Sequence, residues 1–251
     1  MRTALAIVRG WNLDRVEGDP GRFHAASLVK QVVGHLALAV LPDLDAPLWN
    51  GITARHALSH TTGLPNWRAE GEALRAIRPP GQQWGYSGEG FVLLQDAIER
   101  QAGQSVTELA HELVFSPLGM TDSWLDAPED GLHGYRPLIT TARDFGLFLA
   151  FVLGLDDERW RVQWRIDEQL AWGAGWGLET GEPSFCWQWG LNPDASHFVI
   201  GCPSTGEGVV VFTDDADHGR EFYRQIVSRE LPGPHPSLEV ENNPAFLRLV
   251  T

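Results

Sequence analysis

Phe23-His24-Ala25-Ala26-Ser27-Leu28-Val29-Lys30 leads into a run, 27–41, that stays apolar almost all round and carries the chain's one lysine against eighteen arginines. The run is long enough for a buried helix, and Pro42 stops it. A serine and a lysine three apart at a helix start lie on one face. Arginine stays protonated in proteins, whereas a desolvated lysine can lose its proton and act as a base. The spacing of Ser27 and Lys30 is therefore that of an activated nucleophile. Taken alone the pair is weak, because Ser27 also suits a helix N-cap and Lys30 a surface charge.

Outward from this run the pattern changes twice. Residues 3–8 and 13–17 read as a hairpin around Gly10-Trp11-Asn12. After the 27–41 helix come a short helix at 53–59, a turn at Thr62-Gly63-Leu64-Pro65 and an irregular loop over 79–88. Helices are expected at about 89–101, 105–115, 141–153 and 217–229. Short strands are expected at 176–179, 184–190, 196–201 and 208–213, the middle two joined by the Asn192-Pro193-Asp194 turn. The order predicts an α/β protein of the α+β type, with a mostly antiparallel sheet built from both chain ends and flanked by helices. Residues 1–26 and 137–251 would form the sheet domain and 27–136 a helical region, with Ser27 at the junction where clefts commonly form.

Composition narrows the function classes. A net charge of -14 disfavours nucleic acid and anionic membrane surfaces as partners. No stretch is long enough to span a bilayer, and the apolar run at the start is too short for a signal peptide, so a cytoplasmic location is expected. Cys186 and Cys202 make neither a disulfide framework nor a metal spacing and read as small buried apolar residues. No pattern in the chain speaks to oligomeric state, so monomer and homodimer both stay open.

Two further stretches give Ser27 and Lys30 company. Tyr86-Ser87-Gly88 follows a Pro-Gly loop, and Gln188-Trp189-Gly190 lies on an expected strand before a turn. With Ser27-Leu28-Val29-Lys30 they resemble the three motifs of the serine β-lactamase and penicillin-binding-protein superfamily, in its class C β-lactamase-like branch with the family VIII esterases. The intervening Ile52–Pro65 segment, the Phe115-Ser116-Pro117-Leu118-Gly119-Met120 turn and Thr141-Ala142-Arg143-Asp144-Phe145 are similar to family phrases in the same order.

The resemblance implies a β-lactamase/transpeptidase-like fold and an acyl-enzyme on Ser27, with Lys30 and Tyr86 sharing base and acid duties. It implies an oxyanion hole from the amides of Ser27 and Leu191, and substrate contacts from Gly88, Gln188, Trp189 and Gly190. No cofactor or metal is implied. The expected partner is a small ester, amide or lactam. Two departures bear on substrate: Gly88 stands where the family has asparagine, and Gln188 where it has a cationic residue. A neutral glutamine gives a carboxylate no charge assistance. Ester or neutral amide is therefore expected over β-lactam.

Three other readings compete. Gly85-Tyr86-Ser87-Gly88-Glu89 nears a Gly-x-Ser-x-Gly nucleophile elbow, but Glu89 breaks it and no strand precedes it. His56 and His60 are four apart, yet no third ligand accompanies them. A catalytically weak member acting as a binding protein is the alternative from another class, motivated by positions 88 and 188. The rings of Trp84, Trp172, Trp176, Trp187 and Trp189 are expected mostly to pack the sheet against helices, some lining an acyl pocket.

Overall fold

A computed structural model describes residues 1–128 and 134–242. Residues 129–133 of the expected helical region and 243–251 of the expected sheet domain lie outside the described residues. The chain opens with the hairpin β1 (Thr3–Arg9) and β2 (Asn12–Gly18) and a short strand β3 (Phe23–His24). The turn Ala26–Leu28 then leads into helix α1 (Val29–Val40). Strands β4 (Pro47–Trp49) and β5 (Ile52–Thr53) precede α2 (Ala54–Leu58), α3 (Gly88–Ala102), α4 (Val106–Ala110) and α5 (Ser116–Leu118). Strands β6 (Trp124–Leu125) and β7 (Leu138–Thr140) bring the chain to α6 (Ala142–Leu153). Six strands follow: β8 (Trp164–Arg165), β9 (Leu170–Trp172), β10 (Gly177–Glu179), β11 (Phe185–Asn192), β12 (Ala195–Cys202) and β13 (Glu207–Thr213). Helix α7 (Gly219–Glu230) is followed by a 3-10 turn over Pro236–Asn242.

The expected mixed fold with an antiparallel sheet flanked by helices is what forms. The main sheet runs β2-β1-β13-β12-β11-β10-β9-β8. β1 pairs antiparallel with β13, Thr3 opposite Thr213, so the sheet joins strands from before and after the intervening helices. Strand alternation explains the layering. Ala4, Ala6, Val8, Val210, Phe212, Val199 and Cys186 face one cluster, with α1, α3 and α6. Leu5, Ile7, Val209, Val211, Phe198, Ile200 and Trp187 face another, with Tyr223, Ile226 and Val227 of α7.

Several local elements differ from the expected ones. Ser27 does not begin the α-helix; it lies in a 3-10 turn with no side-chain cap, and α1 begins at Val29. Between α4 and α5 the chain winds as a π turn over His111–Phe115. Strands β8 and β9 were not expected, because two or three residues are too few for an alternating pattern to register. The helix caps followed the chemistry of their residues. Thr141 accepts from the Asp144 amide at 3.1 Å, and Gly103 closes α3 at φ +71°.

Candidate active site

Ser27 sits where three parts converge: the turn before α1, the loop before α3, and the middle of β11. Ala26, just before it, holds φ at +48°, a left-handed value that alanine adopts only under constraint. The constraint is a set of hydrogen bonds. The Ala25 amide donates to the Leu138 carbonyl at 2.8 Å, and the Leu28 amide to Ala25 at 3.0 Å. His197, on β12, donates from Nε2 to the His24 carbonyl at 2.9 Å, while its Nδ1 accepts the Thr213 amide at 3.2 Å. That second bond fixes the tautomer, and burial lowers the His197 pKa to about 4, so the ring stays neutral.

Lys30 is the second residue of α1 and is 2 % exposed. Its Nζ is 3.1 Å from Ser27 Oγ and 3.1 Å from the phenol oxygen of Tyr135. The rings of Tyr86, Phe91 and Tyr135 surround the amine, with centroids at 4.9, 5.7 and 4.9 Å. Burial lowers its pKa to about 7. Near neutrality a large share of the population then carries the free amine.

The Tyr86 oxygen accepts from Gln188 Nε2 at 3.0 Å. Burial pushes its phenol up, against the pull of Ser27 and Gln188, so it stays protonated. Its ring lies 4.2 Å from that of His60 and 5.7 Å from that of Trp189. Gln188 is fully buried, and its Oε1 has no hydrogen-bond partner among the described residues. Gly190 fits β11 against the turn: a Cβ there would stand 2.7 Å from the Ala25 carbonyl oxygen. β10 pairs with β11 only over Phe185–Trp187, so no β10 residue pairs with Gln188–Asn192 on that side.

The second motif is differently filled. Ser87 caps α3, accepting the Gly90 amide at 3.0 Å and donating to the Pro65 carbonyl at 2.8 Å. A buried cap with both bonds spoken for is no elbow nucleophile. Glu89 is fully buried and takes Arg68 Nη1 at 3.1 Å. At Gly88 a Cβ would come within 2.3 Å of the Trp67 ring. His56 and His60 act apart. The former completes the capping box of α2; the latter accepts the Ser87 amide at 3.2 Å, among aromatic rings.

The structure thus brings Ser27, Lys30, Tyr86 and Gln188 together and packs Gly190 against the Ser27 turn. Sequence reasoning missed Tyr135, Trp67 and His197. None belongs to a local motif, and each reaches the site only through tertiary packing. The arrangement offers a hydroxyl beside a desolvated amine and a protonated phenol, the components of nucleophilic acyl transfer with proton relay.

A family model described as Beta-lactamase matches residues 21–228. The chain is 31% identical over 96 residues to penicillin-binding protein 4* of Bacillus subtilis, 30% of this chain and 21% of that one. It is 31% identical over 103 residues to the D-alanyl-D-alanine-carboxypeptidase/endopeptidase AmpH of Escherichia coli, 33% of this chain and 27% of that one. It is 30% identical over 160 residues to esterase EstB of Burkholderia gladioli, 43% of this chain and 41% of that one. The chain therefore spans less than half the length of these curated relatives. Among solved structures, a β-lactamase of Mycobacterium bovis superposes with TM-score 0.74 at 22% identity, covering 91% of this chain and 95% of the other. A penicillin-binding protein of Bacillus halodurans gives 0.77 at 17%, covering 90% and 96%.

Proposed function

The chain belongs to the β-lactamase family, and on that footing we propose that it hydrolyses a small ester or neutral amide through an acyl-enzyme on Ser27. The observation that carries this reading is the 3.1 Å approach of Lys30 Nζ to Ser27 Oγ in a pocket that desolvates the amine. Free Lys30 takes the Ser27 proton as Oγ bonds to the substrate carbonyl carbon. The amides of Ser27 and Leu191 receive the developing oxyanion. Protonated Tyr86 gives its proton to the departing group as the bond to it breaks, and Lys30 returns a proton to Tyr86. Water then attacks the acyl carbon by the reverse path, and Ser27 is regenerated.

The substrate side follows from charge. Gln188 offers no cation, and Gly88 offers no amide. A substrate carboxylate would therefore find no cation to pair with at either position. The half-buried Trp189 ring beside Tyr86 suits an apolar acyl group. EstB, named an esterase, is one relative whose name fits this class. The free, buried Cys186 and Cys202 suit a reducing, cytoplasmic setting.

A fluorophosphonate probe followed by peptide mass spectrometry tests the nucleophile, and label on a residue other than Ser27 in active protein rejects it. A panel of p-nitrophenyl esters and nitrocefin tests the substrate class, with Ser27→Ala as the control. Gly88 and Gln188 favour one second reading, a binding protein built on this fold. Neither turnover nor label would support it.

A further inference from the structure

Lys30 has an unusual second partner. In the family the second motif ends in asparagine, whose amide would help hold the lysine; here Gly88 has no side chain. Nor is there room for one, since the Trp67 ring stands 2.3 Å from where a Cβ would lie. The same indole packs edge-on against Tyr135, with ring centroids 5.4 Å apart and planes at 71°. Tyr135, 5 % exposed, puts its hydroxyl 3.1 Å from Lys30 Nζ.

We propose that Tyr135 is the positioning residue of Lys30, its phenol replacing the missing amide, with Trp67 filling the emptied volume and bracing the ring. The inference rests on the hydrolase reading and deepens it. A neutral amine has two N–H groups and one lone pair, arranged in three staggered directions about the Cε–Nζ bond. With one N–H given to the Tyr135 oxygen, one of the two remaining directions can turn the lone pair to Ser27 Oγ, where the proton must arrive. Without that acceptor Nζ rotates among three wells, and the protonated amine loses a buried hydrogen bond. An ordinary core tyrosine would bury its ring and satisfy its hydroxyl on backbone or solvent. This one spends its hydroxyl on the chain's one ammonium.

The single lysine makes the test direct. Protein grown with ¹³Cε-lysine gives one side-chain lysine resonance, whose pH titration reports Lys30 whether or not a substrate is known. In Tyr135→Phe the midpoint is expected to fall below that of the wild type, because the charged form loses its acceptor. The acid limb of kcat/KM for a p-nitrophenyl ester should fall with it. Rate at the plateau should drop by about tenfold to about a hundredfold, the loss of one hydrogen bond to a charged group. Tyr135→Gln restores an acceptor and should bring midpoint and rate back toward wild type.

An unmoved or raised midpoint in Tyr135→Phe overturns the role, as does a Gln variant that behaves like the Phe variant. If Tyr135→Phe does not fold, Tyr135→Leu takes its place as the acceptor-free variant: a midpoint below that of Tyr135→Gln supports the role, and an equal one rejects it. Wild-type protein that takes no fluorophosphonate at Ser27 overturns the hydrolase reading, and the positioning role with it. Label and turnover in wild type, with an unmoved midpoint in the variant, overturns Tyr135 alone.

Discussion

His197 ties the centre of the sheet to the segment that carries the nucleophile, its Nε2 donating to the His24 carbonyl at 2.9 Å, three residues before Ser27. The ring works only when neutral, because its Nδ1 must accept from the Thr213 amide. Burial holds its pKa near 4. A folded pKa below the unfolded value of about 6.5 means that the unfolded chain binds the extra proton first. The stabilisation is therefore complete above about pH 6.5 and is lost as pH falls toward 4. His35, also lowered to about 4, adds in the same direction. His235, raised by Glu179, opposes them. Urea midpoints measured from pH 7 to 4 should fall, and His197→Phe should flatten the fall while costing about 2 kcal/mol at pH 7. A slope equal to wild type in that variant would contradict this account.

Lys30 sets the pH dependence of turnover. Its folded pKa of about 7 predicts that kcat/KM rises with pH through about 7 and then levels. Because the unfolded lysine titrates near 10.4, burial of Lys30 costs stability at neutral and acid pH. Lys30→Met should lose acylation yet raise the unfolding free energy measured in urea, by roughly 2 kcal/mol at pH 6. Lys30→Arg keeps the charge and should lower turnover by at least about a hundredfold. Wild-type turnover in Lys30→Arg would remove the lysine from the base role.

Gly88 is predicted to tolerate no side chain while Trp67 is present. Gly88→Ala forces the indole off Tyr135 and should cost about 1–3 kcal/mol. In a Trp67→Ala background most of that cost should vanish, giving a coupling that a double-mutant cycle reads directly. Additive costs would mean that the two residues do not share the space.

Gln188 holds the place where the family has a cation. Gln188→Lys puts an ammonium beside Tyr86, favouring the phenolate and offering a partner to a substrate carboxylate. Its kcat/KM ratio for nitrocefin over a neutral p-nitrophenyl ester should rise about tenfold, in line with a charge-assisted bond. A ratio that falls or stays fixed would free substrate choice from this position.

The sequence made some of this legible and hid the rest for reasons that can be named. The hairpin β1–β2, the apolar strands β11 to β13 and helices α3 and α6 announce themselves by periodicity and caps, because those signals are local. Ser27, Lys30, Tyr86 and Gln188 are legible as spaced motifs. Tyr135 is not: it lies 105 residues from Lys30, and nothing in its neighbours marks a tyrosine that faces an amine. Trp67 becomes meaningful only once Gly88 is seen to lie under it. His197 reads as one histidine in a strand until its two hydrogen bonds are known.

The pairing of β1 with β13 has a consequence for the order of events on the ribosome. Ser27 and Lys30 are made before β11 to β13 and lie close in sequence, so their spacing is available as soon as α1 can wind. The strand that holds β12 beside β1 is not finished until Thr213. Until then β8 to β12 can pair among themselves, but no strand joins them to β1. A nascent chain thus carries its hydroxyl and its amine until Thr213 is added without the complete sheet around them.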